Sequence, residues 1–170
     1  EVLIPLPADV SDESASALMM KGMTAQYLFR QVYPLHGGET ILYHAAAGGV
    51  GLVACQWARA LGVTMIGTVS TEAKAEAARA NGCAHVIVTG GMTPEELTRE
   101  IPKRVKELTG GKGVPVVYDS VGKDTLMASL DSLQPRGSLV SNGTSSGPVV
   151  IDTMLLAVKG SIWVTRPAMI

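Results

Sequence analysis

Three groups of residues in this chain have the types and spacing to hold an anionic ligand. The first is the run His44-Ala45-Ala46-Ala47-Gly48-Gly49-Val50-Gly51. Within it Ala46-x-Gly48-x-x-Gly51 follows the dinucleotide fingerprint, with alanine at the first position. Apolar Ile41, Leu42 and Tyr43 precede it, and an amphipathic pattern follows to Leu61. A strand therefore leads into a helix start. Such a start carries unpaired N–H groups and the positive end of the helix dipole. Glycine lets the main chain close on a phosphate and lets helix and strand pack tightly. Ala47, Gly48, Gly49, Val50 and Gly51 are the candidate pyrophosphate cradle.

The second group, Ser70-Thr71-Glu72-Ala73-Lys74, follows the next strand, about twenty residues beyond the fingerprint. An acidic residue in this place holds the 2′-hydroxyl of an NAD ribose and repels a 2′-phosphate. Ser70 stands there instead. Its hydroxyl can donate to a phosphate, and Lys74, one helical turn on, can add positive charge. This favours NADP over NAD, although Glu72 works against it. Ser70 or Thr71 also suits a helix cap, a role compatible with phosphate binding. The third group lies after later strands. Ser120 follows Asp119 and reads either as a ribose contact or as a cap. The loop Asn142-Gly143-Thr144-Ser145-Ser146-Gly147 has the small polar groups of a cofactor clamp or of an ordinary exposed loop.

These groups need a scaffold that brings strand ends together. Helices are expected from Ser11 to about Gln31, Gly49 to Leu61, Glu72 to Ala80, after the capping box Thr93-Pro94-Glu95-Glu96, over Lys123–Leu133 and around Asp152–Lys159. Pro102 should kink or break the fourth. Strands are expected at Ile41–Tyr43, Thr64–Val69, Ala84–Val88, Val114–Asp119, Ser138–Ser141 and Ser161–Thr165. In the first helix Leu18, Met19, Met23, Tyr27 and Leu28 read as core. Alternating strands and helices with short connections imply an α/β fold. The expectation is a doubly wound parallel sheet of the Rossmann type, about six strands in the order 3-2-1-4-5-6, helices on both faces. Residues 1–10, with Pro5 and Pro7, read as a linker, and 11–170 as one domain.

Composition narrows the function. Net charge is −1, so no broad basic field for nucleic acid is expected. Cys55 and Cys83 are far apart and, with His36, His44 and His85, match no compact metal spacing. A disulfide framework is not expected, and no apolar run is long enough to span a bilayer, so a cytoplasmic location is the default. No Ser-His-Asp set or poised carboxylate pair stands out, and no catalytic residue is assigned. That suits a reaction carried by a cofactor.

Seven collinear stretches resemble one family: Lys21–Arg30, His44–Gly62, Gly67–Lys74, Glu107–Val114, Val116–Thr125, Leu133–Ser141 and Lys159–Pro167. Together they resemble the NADPH-dependent quinone oxidoreductases, the zinc-free, zeta-crystallin-like branch of the medium-chain dehydrogenase/reductase superfamily. The resemblance implies a coenzyme domain of a longer enzyme. Its GroES-like substrate domain and C-terminal returning segment would lie outside these residues, so the 170 residues alone are expected to turn over little or no substrate. It also implies that Thr24, Gly48, Gly49, Val50, Ser70, Lys74, Ser120 and the 142–145 loop face NADPH, and that the protein dimerises through the Ser161–Thr165 strand. Two positions depart from the family pattern. Thr89-Gly90 stands where an Asn-Tyr pair is frequent, and Asn142 where phenylalanine is frequent. An enoyl or 2-alkenal reductase and a non-catalytic NADP-binding redox sensor are the alternative readings.

Overall fold

The computed structural model describes residues 5–168. The expected linker therefore lies partly outside the described residues. Its described part, 5–10, holds no helix or strand and closes one turn through Val10 N–H to Pro7 O at 3.0 Å.

Six parallel strands form one sheet: β1 (Thr40–Tyr43), β2 (Thr64–Val69), β3 (His85–Val88), β4 (Val114–Asp119), β5 (Leu133–Ser141) and β6 (Trp163–Thr165). Their order is β3-β2-β1-β4-β5-β6, as expected. The order reverses between β1 and β4. The central strands β1, β2 and β4 are largely buried on both faces, which suits their β-branched and aliphatic residues, whereas β6 at the edge is exposed. The pleat sends alternate residues to opposite sides. Ile41, Tyr43, Met65, Val116 and Tyr118 join one core. Leu42, Ile66, Val117 and Leu139 join the other.

The first core lies under α1 (Asp12–Tyr27), its π-helical extension Leu28–Val32, α2 (Gly49–Ala60) and α3 (Glu72–Ala80). Phe29 meets Tyr118 edge-on, with ring centroids 5.1 Å apart, and Tyr43 lies 5.7 Å from Tyr118. The second core lies under α4 (Pro94–Leu108) and α5 (Leu126–Ser132). The last helix, α6, is short (Thr153–Val158) and capped by Asp152.

Several expectations need correction. Pro102 does not break α4. The helix runs through it, and the ring is buried on the apolar face with Leu97, Ile101 and Val105. The fifth helix begins at Leu126 rather than Lys123. Asp119 draws the N–H groups of Val121 and Gly122 onto its carboxylate, and Gly122 sits at φ 100°, outside helical geometry. That helix ends at Ser132, and β5 starts at Leu133 rather than Ser138, with an irregular register around Pro115 and Pro135. The outer face of α1 is not core. Leu18, Met19 and Met23 are about half exposed, and Met20 more so. In this stretch the fully buried side chains are Ala25 near the end of α1 and Leu28 and Phe29 of its π-helical extension. An apolar stripe reports which side of a helix avoids water, not how much of it is covered.

Truncating Ile101 to alanine is expected to lower the unfolding free energy by about 2–5 kcal/mol, because the side chain is wholly buried. Met20→Ser is expected to change it by less than about 0.5 kcal/mol. Urea unfolding of both variants checks the placement of the core.

Candidate functional site

The turn after β1 is built by close approach. A Cβ on Gly51 would stand 2.5 Å from the Ala46 carbonyl oxygen and 2.6 Å from that of Ala45. Only glycine lets α2 begin against the turn at this distance. Ala45 takes a left-handed conformation, φ 56°. Its carbonyl accepts from Gly48 N–H at 2.9 Å. The first main-chain N–H of α2 engaged by a helical bond is Leu52, onto Gly48 O at 2.9 Å. Among the described residues the N–H groups of Gly49, Val50 and Gly51 have no acceptor. Free donors of this kind at a helix start, with the helix dipole, have the chemistry to hold an anion. Lys21 of α1 crosses it. A Cβ on Gly49 would meet Lys21 Cε at 2.9 Å, with Nζ 3.7 Å away. The sequence carries a lysine there but no local signal that α1 would bring it to this turn.

Beside this turn opens a cleft of about 350 Å³, lying over the carboxyl ends of β1, β2 and β4. Ala47 and Gly48 line it from the turn, and Ser70 and Lys74 from the end of β2. Thr89 bounds it after β3, Leu97 and Ile101 of α4 give an apolar wall, and Val121 and Thr125 close the β4 side. Lys74 Nζ donates to Ser70 Oγ at 2.9 Å, so the hydroxyl and the cation converge. Thr71 caps α3 through Lys74 N–H at 3.3 Å. Glu72 pairs with Arg79 at 2.8 Å, which engages the one acidic group that counted against a phosphate here. Gly90 is held by shape. A Cβ there would fall 2.0 Å from Ser70 O, so no larger residue fits this backbone.

The remaining sequence-derived residues lie elsewhere. Thr24 is half-buried in α1, and its hydroxyl donates to Met20 O at 2.7 Å. Ser120, Asn142, Gly143 and Ser145 do not line the cleft. They pack on one another beyond β4 and β5. Gly143 comes so close to Ser120 that a Cβ would lie 2.4 Å from its carbonyl oxygen, and Ser145 Oγ donates to that oxygen at 3.3 Å. Arg166 ties this loop down from beyond β6, donating to Ser141 O at 2.9 Å and Gly143 O at 3.0 Å. The Asn142 Oδ1 atom is buried without a partner.

A buried polar chain, not foreseen as a unit, underlies the cleft. His44 is wholly enclosed. Its Nδ1 lies 3.0 Å from Thr68 Oγ1 and its Nε2 3.0 Å from Ser129 Oγ. Ser129 donates to Asp119 at 2.6 Å, and Thr125 at 2.8 Å. Burial holds the His44 imidazole below its ordinary pKa, against the pull of Asp119. Burial alone would raise the Asp119 pKa. The neighbouring imidazole and the hydrogen bonds from Ser129, Gly122 and Thr125 outweigh that and keep the carboxylate ionised.

Comparisons with known proteins give the family and the fold. A family model described as zinc-binding dehydrogenase matches residues 49–167. The chain belongs to the zinc-binding dehydrogenase family. It is 55% identical to the quinone oxidoreductase of Pseudomonas aeruginosa over 170 residues, 99% of this chain and 50% of that protein. It is 49% identical to the 2-haloacrylate reductase of a Burkholderia species over 172 residues, 99% of this chain and 49% of that protein. Among solved structures, Escherichia coli quinone oxidoreductase complexed with NADPH superposes with a TM-score of 0.89 at 51% identity, over 96% of this chain and 48% of that one. The chain thus spans about half the length of the relatives it matches. The family's name implies zinc, but the described residues of this zinc-binding dehydrogenase domain include no group of three or more His, Cys, Asp or Glu side chains arranged to hold a metal ion. Cys55 and Cys83 are free and buried. The described residues do not fit a zinc site. No helix among the described residues is long and apolar enough to cross a membrane.

The lowered His44 pKa has a measurable consequence. The unfolded chain binds a proton near pH 6.5 that the folded chain refuses, so stability falls as pH drops below that value, by up to about 1.4 kcal/mol per unit. Asp119, held ionised in the fold, adds a further loss below about pH 4. Urea unfolding at pH 7 and pH 5.5 should show a larger drop for the native sequence than for His44→Gln.

Proposed function

We propose that these residues form the NADPH-binding domain of a quinone oxidoreductase, an enzyme that passes hydride from NADPH to a quinone or related conjugated carbonyl. One observation carries the reading. Amides at Gly49–Gly51 without acceptors among the described residues lie at the sheet's switch point, and Ser70 with Lys74, rather than a carboxylate, follows β2. The cradle holds the pyrophosphate on main-chain donors, with Ala47 and Gly48 as its floor and Lys21 adding charge. Ser70, Thr71 and Lys74 receive the 2′-phosphate. Ser120, Asn142, Gly143 and Ser145 belong to the nicotinamide half, where the loops after β4 and β5 meet, and Thr24 faces the cofactor from α1. NADPH supplies the hydride when bound. The chain's own groups orient it and keep its phosphates paired. No catalytic side chain and no metal are assigned to this domain.

Residues 11–170 are the coenzyme domain in this reading, with 1–10 leading to a substrate domain. The NADPH-complexed relatives and the quinone oxidoreductases at 55% and 52% identity support it. A homodimer joined through β6 is part of the proposal. That strand's outer edge has no partner among the described residues, and Trp163 on it is 69% exposed. The two free cysteines suit a cytoplasmic location.

Calorimetric titration of the intact protein tests the cofactor. NADPH is expected to bind more tightly than NADH, and Lys74→Ala to weaken NADPH about tenfold while leaving NADH unchanged. Equal affinity for the two would contradict a 2′-phosphate site. NADPH oxidation with benzoquinone and, separately, with 2-haloacrylate then assigns the acceptor. Turnover with 2-haloacrylate alone would move the substrate class.

A further inference from the structure

His44 occupies a position that cofactor binding alone does not explain. It is the residue after β1, it is wholly buried, and both ring nitrogens are engaged. The proton positions in its surroundings follow from one fixed point. Asp119 accepts from Val121 N–H at 2.9 Å, Gly122 N–H at 3.0 Å, Thr125 Oγ1 at 2.8 Å and Ser129 Oγ at 2.6 Å. An ionised carboxylate only accepts, so the Ser129 hydroxyl donates to it. Ser129 Oγ can then only accept from His44, which puts the ring proton on Nε2. A neutral imidazole with Nε2–H leaves Nδ1 a bare acceptor, so the Thr68 hydroxyl donates to it. Thr68 Oγ1 keeps a lone pair for Ala45 N–H at 3.3 Å, and Thr68 O takes Ala46 N–H at 3.0 Å.

From Ala45 N–H through Thr68, His44 and Ser129 the donors run in one direction to Asp119, and the Val121 and Gly122 N–H groups donate to Asp119 from the other side. One end grips Ala45 and Ala46, where the backbone turns left-handed into the amide cradle. The other end grips Val121 and Gly122, the loop on the far side of the switch point. Apart from the backbone bond of His44 N–H to Tyr118 O at 2.9 Å, His44 is what joins the two loops beneath the cleft. We propose that His44 is a positioning residue for the cofactor: in its Nε2–H form it sets the separation between the turn after β1 and the loop after β4. This rests on the NADPH reading above. The role matters only to a ligand that touches both walls. A fragment held at one wall does not sense it.

The test uses the intact protein and two ligands, NADPH, which spans both walls, and adenosine 2′-monophosphate, which reaches only the Ser70–Lys74 side. His44→Phe keeps a planar ring and removes both hydrogen bonds. It is expected to weaken NADPH at least tenfold and to leave adenosine 2′-monophosphate within twofold. His44→Gln, which retains a donor and an acceptor, should recover most of the NADPH affinity. If His44→Phe does not fold, Ser129→Ala removes the Nε2–H acceptor and should give the same ligand contrast at smaller size. Unchanged NADPH affinity in these variants, or equal weakening of both ligands, overturns the proposal. A native protein that binds adenosine 2′-monophosphate but not NADPH, or binds neither, overturns the NADPH reading itself, and the variants need not be compared.

Discussion

The structure depends on how closely α2 can start against the turn that precedes it. At Gly51 there is no room for a single carbon, because the Ala45 and Ala46 carbonyls lie where it would go. That contact fixes the helix entrance over the end of β1. It also leaves the amides of Gly49, Val50 and Gly51 without acceptors among the described residues, with Gly49 exposed, Val50 half-buried and Gly51 buried. Unpaired donors of this kind are unfavourable when buried and useful when an anion can reach them. Gly67 of β2 repeats the constraint from below. A Cβ there would meet Ala46 Cβ at 2.6 Å and Cys83 Sγ at 2.7 Å. Small residues on both sides of the turn let it sink onto the sheet.

Around that turn the sheet order does the rest. Helices α2 and α3 cover one face and α4 and α5 the other, so a crevice opens where β1 and β4 lead in opposite directions. The crevice has a polar underside, the Thr68–His44–Ser129–Asp119 chain, with each donor matched to an acceptor. Such a network is stable in a dry interior only when it is complete. Its completeness ties the local geometry of two loops to residues on β2, β4 and α5.

The sheet order, the strand ends and the fingerprint turn were legible in the sequence because each is written in neighbouring residues. Apolar runs, glycines and caps act over a few positions. Long-range features were harder to read. Asp119 and Ser120 both follow a strand, and nothing local says that Asp119 would bind four donors while Ser120 packs under Gly143. His44 and Ser129 are 85 positions apart, and their contact exists only once the sheet is assembled. The apolar side of α1 was read as core because periodicity reports composition, not coverage. The late start of α5 escaped notice because the Lys123 N–H is held by the Gly147 carbonyl, a contact 24 positions away along the chain. Gly90 looked like a lost aromatic contact. The fold makes it a place where only glycine fits.

The central claim is that free amides at the entrance of α2 hold the charged linkage of the coenzyme. Backbone amide resonances of Gly49, Val50 and Gly51, followed by nuclear magnetic resonance during titration with NADPH, test it most directly. These three signals should show the largest shifts and saturate together with the binding isotherm. Binding that leaves them in place, with shifts confined to other loops, would contradict it.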